Sequence, residues 1–261
     1  MMRSRILIKI GGRAFEGEQG YQELAAAIKA SQGLEMIIVH GGGAEISQAL
    51  KDAKRETQFI DGIRVTRAED IKIVEAVLSG TVNLRIASWL SDHGVASRRM
   101  SGKTENLFVV EPMTRQGLDW GYVGEIKHVN AAVVLSALKA GSVPVISPIS
   151  ADEKGASYNV NADSAAAALA GAAGCTDLVF ITDVPGVMVG EKIRSSLTVD
   201  EARSLIAEGI VKGGMVAKME SAFEALNNKV PRVHIIQWQG AQTFASLLTG
   251  QLSSGTVIHL K

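Results

Sequence analysis

Several short segments combine lysine, glycine, arginine and carboxylate in patterns suited to handling anions. The first is Ile6-Leu7-Ile8-Lys9-Ile10-Gly11-Gly12. Lys9 stands in an apolar run that reads as a strand covered on both faces. A buried ammonium is costly without an anionic partner, and the glycines let backbone N–H groups approach a ligand closely. The plainer alternative is a lysine on an edge strand before an ordinary turn. The second segment, Ile37-Ile38-Val39-His40-Gly41-Gly42-Gly43, runs directly into a helical stretch. Glycines at a helix N-terminus expose consecutive N–H groups, a ready anion site. His40 fits a hydrogen-bonded histidine at a strand end better than a catalytic one.

Asp61-Gly62-Ile63-Arg64-Val65-Thr66 places Arg64 just before what reads as a capped helix. A guanidinium there either clamps a carboxylate through two parallel hydrogen bonds or is simply solvated. Tyr158-Asn159-Val160-Asn161-Ala162-Asp163 opens an alanine-rich helix. Asn161 is a natural N-cap, and Asp163 in the first turn suits the helix dipole. Asn159 is left free, and Asp163 can face a cation or a lysine. Ile181-Thr182-Asp183-Val184-Pro185-Gly186-Val187 ends a strand in a polar switch and a turn. Strand C-termini are where open α/β sheets bind ligands. Gly213-Gly214-Met215-Val216-Ala217-Lys218 places a lysine in what reads as a helix's first turn, against the dipole. A phosphate at that helix end resolves the conflict.

Other chemistries lack their parts. The dinucleotide fingerprint G-x-G-x-x-G is absent, and Gly102-Lys103-Thr104 is not a Walker A loop because Ser97 stands at its first glycine position. The single cysteine, Cys175, excludes an intrachain disulfide framework and a cysteine-built zinc site. It fits a reducing compartment. Lys plus Arg number 27 and Asp plus Glu number 27, so no excess charge marks a nucleic-acid or membrane-surface binder. No apolar stretch reaches spanning length and no signal peptide is read, so a cytoplasmic location is expected.

The elements that must position these residues follow from periodicity. In 261 residues, Arg5–Ile10, Met36–His40, Val143–Ser147, Leu178–Thr182 and Val233–Gln237 read as buried strands. Tyr21–Ser31, Ala44–Asp52, Arg67–His93, Ala131–Ala140, Ala162–Ala173, Val199–Glu208 and Met215–Leu226 read as helices. Capping boxes are expected at Thr66 with Glu69 and at Thr198 with Glu201. The alternation predicts an α/β protein, a three-layer α/β/α sandwich on an open, mainly parallel central sheet. Leu107–Pro112 and Gly121–Val129 break it and read as an antiparallel flap. A single domain over 1–261 is expected, divided in function near residue 150, with a different ligand on each side.

Taken together and in this order, the motifs Lys-Ile-Gly-Gly, His-Gly-Gly-Gly, Gly-Ile-Arg-Val-Thr, Asn-Val-Asn-Ala-Asp, Thr-Asp-Val-Pro-Gly-Val and Gly-Gly-Met-x-x-Lys resemble the amino acid kinase family across essentially the whole chain. Arg-Val-Thr and Asn-Val-Asn-Ala-Asp resemble the members that act on N-acetyl-L-glutamate. The resemblance implies transfer of a phosphoryl group from ATP, with its Mg²⁺, to that substrate's side-chain carboxylate, a step of arginine biosynthesis. It implies that Lys9 and Lys218 neutralise the phosphoryl group in flight, that Gly12 and Gly42 donate backbone hydrogen bonds to it, and that Asp163 orients both lysines. Arg64 and Asn159 hold the substrate's α-carboxylate with Gly43 nearby, and Asp183 lies by the nucleotide. The N-terminal part, about 1–150, takes the acyl substrate, and about 151–261 takes ATP.

The chain departs from the family pattern at Thr104-Glu105, where the family has Asp-Gly, and at Arg98 and Arg99, where apolar strand residues are expected. The arginines suit a related kinase whose aminoadipate or glutamate substrate is attached to an acidic carrier protein. A non-catalytic nucleotide-binding regulator is the reading of another class. For assembly, the apolar stretch Ile71–Leu90 predicts a homodimer. Only four residues precede the first strand, too few for the ring-forming N-terminal helix of arginine-inhibited members, so little inhibition by arginine is expected.

Overall fold

A computed structural model describes residues 4–11, 18–31, 33–240, 243 and 255–261. Its first half holds β1 (Arg5–Ile10), α1 (Glu18–Ala30), β2 (Glu35–His40), α2 (Gly43–Asp52), β3 (Phe59–Ile60), β4 (Ile63–Arg64), α3 (Ile71–Glu75) and α4 (Asn83–Asp92). Next come β5 (Ser97–Ser101), β6 (Phe108–Pro112), β7 (Gly124–Val129), α5 (Ala132–Lys139) and β8 (Val143–Ser147). The remainder is β9 (Ile149–Ala151), β10 (Ser157–Asn159), α6 (Ala162–Ala172), β11 (Asp177–Thr182), β12 (Met188–Val189), β13 (Lys192–Ile193), β14 (Ser196–Thr198), α7 (Val199–Ala207), α8 (Gly214–Asn227), β15 (Arg232–Gln237) and β16 (Thr256–His259).

Eight strands make the central sheet in the order β14-β16-β15-β11-β1-β2-β8-β5. All neighbours are parallel except β15 and β16. The apolar runs are continuous because both faces are covered. In β1, Ile6, Ile8 and Ile10 pack with α1 and α4, while Leu7 packs with α6 on the other face. The expected three-layer α/β/α architecture is thus present. The antiparallel flap is present too: β6 and β7 pair within a second sheet, β10-β9-β6-β7.

The helix expected over Arg67–His93 begins at Ile71, and Ala76–Val82 within it is π-helical. A π segment adds a residue to the turn and is common at functional sites. The Thr66–Glu69 capping box does not form. Asp70 is the N-cap, Glu69 faces Arg55 at 3.4 Å, and Thr66 is buried in a bridge to Gly121. The flap needs Thr66 more than the helix does. The Thr198–Glu201 box is complete. In the apolar stretch Ile71–Leu90, Val74, Leu78 and Ile86 are core, and Ile73, Val77 and Trp89 pack half-buried against it. Much of the surface that suggested a partner is therefore used within the chain.

Candidate active site

Parallel register aligns the ends of β11, β1 and β2, so the loops leaving them share one edge of the sheet. Lys9 stands opposite Phe180 and Val39. Its side chain rises on the face covered by α6, whose N-terminus is capped by Asn161 accepting from the N–H groups of Asp163 and Ser164. That cap points the Asp163 carboxylate at the strand ends. Asp163 Oδ1 lies 2.7 Å from Lys9 Nζ, and Asp163 Oδ2 accepts from Lys218 Nζ at 2.9 Å. Lys9 is only 8% exposed, so of the two sequence readings the buried, paired lysine is the observed one.

The electrostatics follow from this sandwich of charges. Burial acts to raise the Asp163 pKa, but the two ammonium groups outweigh it and hold the carboxyl far below the usual carboxylate range. Burial pushes Lys218 below the usual lysine range, with Asp163 opposing and Lys9 adding to the shift. Lys218 Nζ also lies 5.0 Å from the centre of the Phe180 ring. It falls one turn into α8 rather than in its first turn, so the helix end itself is left to Gly213 and Gly214. Gly213 adopts φ 60, a conformation that favours glycine.

Lys9, Asp163 and Lys218 line a cavity of about 500 Å³, and Gly42, Gly43, Arg64, Asn159 and Asp183 line it as well. Gly12 lies outside the described residues. Arg64, 6% exposed, donates to the Gly43 carbonyl and to Ser47 Oγ, both at 2.8 Å, and stacks 4.6 Å from the Phe59 ring. Asn159 donates to Thr66 Oγ1 at 3.0 Å, and Thr66 in turn donates to the Arg64 carbonyl at 3.3 Å. Asp183 accepts from Thr182 Oγ1 at 3.1 Å. The cavity thus has a cationic pair at one place and a buried guanidinium at another. Such a site receives a doubly anionic ligand set.

Sequence reasoning missed the parts that hold Arg64. Ser47 lies on α2, and Thr57, whose Oγ1 accepts from Arg64 at 3.3 Å, lies in the loop before β3; nothing in their spacing marks them. It also missed the β3–β4 hairpin, which did carry a signal. Asp61 and Gly62 have φ of 48 and 79, the two-residue turn that Asp-Gly favours. The Gly62 tip faces Gly214 and Ala217 of α8 across the cavity mouth.

Arg98 and Arg99 lie on β5, the sheet edge, where apolar alternation is not required. Arg98 pairs with Glu105 at 3.1 Å, and Arg99 donates to Asn83 Oδ1 and the Ser79 carbonyl. Glu105 itself has φ 49. That is a left-handed conformation, which glycine adopts freely and Glu105 adopts at a cost. His40 is buried and hydrogen-bonded, as expected, and burial lowers its pKa to about 4.

A sequence model of the amino acid kinase family matches residues 4–237. The chain belongs to that family. It is 39% identical over 249 residues to the acetylglutamate kinase of Geobacillus stearothermophilus, covering 93% of each chain. Its fold matches N-acetylglutamate synthase from Neisseria gonorrhoeae, in complex with coenzyme A and N-acetyl-glutamate, with a TM-score of 0.83 and 25% identity over 100% of this chain and 60% of that one. Carbamate kinase from Giardia lamblia bound to AMP-PNP shares the fold, with a TM-score of 0.67, 16% identity and 99% of each chain covered. The protein is a kinase, and ATP use follows from its family. Among the described residues no helix is long and apolar enough to cross a membrane.

Proposed function

We propose that this kinase transfers the γ-phosphoryl group of ATP to the side-chain carboxylate of N-acetyl-L-glutamate, in arginine biosynthesis. The observation that carries the reading is the Lys9–Asp163–Lys218 sandwich sharing one cavity with Arg64. The acceptor carboxylate, with a pKa of about 4.3, is already ionised at pH 7 and needs no general base. The obstacle is to bring an anion to a polyanion, so catalysis rests on positioning and electrostatic stabilisation. Lys9 and Lys218 sit on either side of the phosphoryl group in transfer. Asp163 pairs with both and holds them apart. Gly42, with Gly12, donates backbone N–H groups to the same oxygens.

Arg64 and Asn159 hold the α-carboxylate of the acceptor beside Gly43. Asp183 borders the nucleotide, and Mg²⁺ enters on its phosphates. Residues 1–150 form the lobe for the acyl substrate and 151–261 the lobe for ATP. The order of the sheet supports this division, with β1, β2, β8 and β5 on one side and β11, β15, β16 and β14 on the other. The carrier-linked alternative loses support because Arg98 and Arg99 are engaged elsewhere. The regulator alternative loses support because both lysines and their carboxylate are in place. A cytoplasmic homodimer completes the reading, joined through the Ile71–Leu90 region, where Leu84 is exposed.

An ATP-dependent hydroxamate assay offered N-acetylglutamate, glutamate, aspartate and 2-aminoadipate tests the reaction, because hydroxylamine traps acyl phosphates. Turnover of N-acetylglutamate above the others is expected. No trapped product with any acceptor refutes the reading. Light scattering at twice the chain mass checks the dimer.

A further inference from the structure

The orientation of one buried side chain, Asn83, is decided by its neighbours. Asn83 opens α4 directly after the π-helical stretch and is 2% exposed. Its amide nitrogen lies 2.9 Å from the Val145 carbonyl, 3.3 Å from the Met100 carbonyl and 3.0 Å from His40 Nε2. Its oxygen accepts from Arg99 Nε at 3.2 Å. A guanidinium only donates and a carbonyl only accepts, so the amide has one satisfactory orientation. The amide nitrogen has two N–H groups for these three neighbours and, being only a donor, offers His40 Nε2 nothing to donate to, while Nδ1 faces the Gly41 carbonyl, which only accepts; the ring proton of the neutral imidazole therefore sits on Nδ1. From there it donates to the Gly41 carbonyl at 2.9 Å.

That bond reaches the active site through the next peptide plane. In a trans peptide the C=O of one residue and the N–H of the next point in opposite directions. His40 follows Ile38 on the face of β2 covered by α4, so the Gly41 carbonyl is drawn to that side. The Gly42 N–H is turned the other way, toward the cavity that Lys9 and Asp163 share with Gly42. Among the described residues no protein acceptor takes it. We propose that His40, set by Asn83 and Arg99, is a positioning residue that locks the Gly41–Gly42 peptide with its N–H aimed at the phosphoryl group in transfer. The inference rests on the kinase reaction proposed above. A peptide between two glycines has little else to hold its plane. Flipped, it presents a carbonyl oxygen to an anion and removes a donor, a loss of roughly a hundredfold in rate. Arg99, out of place as a strand residue, acquires a reason: it sets the amide that sets the imidazole.

Two amide substitutions separate this role from simple packing. In His40→Asn the side-chain N–H takes the place of Nδ1–H, while in His40→Gln it reaches only toward Asn83. Turnover within about fivefold of native is expected for the Asn variant. A fall of roughly a hundredfold is expected for the Gln variant, with both KM values within about threefold. ADP should bind both variants equally, but aluminium fluoride, which mimics the phosphoryl group in transfer, should tighten ADP only in the native and Asn proteins. Equal turnover of the two variants, or fluoride-dependent tightening in the Gln variant, overturns the proposal. Should neither variant fold, nitrogen-15 spectra of the native protein decide: a proton on Nε2, or a Gly42 amide unmoved by ADP and aluminium fluoride, overturns it. A native protein that forms no acyl phosphate refutes the reaction instead, and the ring tautomer can still be read.

Discussion

Asp163→Asn removes the one negative charge between two buried ammonium groups and nearly preserves shape. In the native protein each lysine lies within 2.9 Å of a carboxylate oxygen, and both side chains are 11% exposed. Removing one partner of a buried pair typically destabilises by about 3–5 kcal/mol, because charge is left uncompensated. For a chain of this size that lowers Tm by roughly 10 °C. The variant escapes part of the penalty by releasing a proton from a lysine. Lys218, already depressed by burial and by Lys9, loses the opposing pull of Asp163 and drops further. The proposed mechanism requires the charged form, so the fall in kcat on the alkaline side should begin at lower pH than in the native enzyme. MgATP supplies the missing anion, so it should raise the Tm of the variant more than that of the native protein. Calorimetry with and without MgATP, together with kcat measured from pH 6 to 10, checks all three. A variant with native Tm and native alkaline limb shows that the lysines do not depend on Asp163, and the account of the charge sandwich fails.

Lys9→Ala and Lys218→Ala should each lower kcat by about a hundred- to thousandfold, since each removes a charge contact made most strongly in the transition state; steady-state kinetics showing near-normal turnover in either would remove it from the mechanism. Arg64→Ala should chiefly raise the KM for the acyl acceptor with the ATP KM little changed, because a carboxylate clamp is made in the ground state; an ATP defect alone would move Arg64 to the nucleotide end. Burial holds His40 at about 4 against an ordinary 6.5, so the unfolded chain takes up the proton first as pH falls. The associated stability is full above pH 6.5 and declines by about 3 kcal/mol toward pH 4, a loss that urea midpoints should show in the native protein and not in His40→Asn. Glu105→Gly should stabilise the fold by about 1 kcal/mol by relieving a left-handed φ of 49, read as a higher Tm with unchanged kcat.

Much of this site was legible because it is written in exceptions. Lys9 is a charge inside an apolar run, and Gly41, Gly42 and Gly43 are too many glycines for a turn. Asn161 caps a helix that places Asp163. Such features are local, and a strand or helix period makes them stand out. What escaped is non-local or unneeded by periodicity. Ser-Arg-Arg-Met-Ser forms β5 because an edge strand is covered on one side only and needs no apolar alternation. Thr66 reads as a helix cap but serves a bridge to Gly121, a partner far along the chain. Ser47 and Thr57 reach Arg64 through packing that no spacing encodes.

The position of the site is a consequence of topology. From β1 the chain first builds β2 on one side, then returns much later to build β11 on the other. The loops after those strands therefore diverge and leave a crevice at the carboxyl ends, as open parallel sheets do. The chain's formal charge is zero, but the crevice does not average over the surface. Among its described lining residues two ammonium groups pair with one carboxylate at the heart, a guanidinium stands apart from them, and Asp183 lies at the border. The cations are also divided in labour. Arg64 is held by neutral oxygens of Gly43 and Ser47, so in the proposed reaction its charge is free to bind an acceptor that is anionic before and after transfer. Lys9 and Lys218 are tied to Asp163, which damps their pull on any resting anion. In the proposed reaction they act most strongly on the charge that appears between donor and acceptor. On that proposal binding energy and rate enhancement reside in different residues, which is why their substitutions should separate KM from kcat.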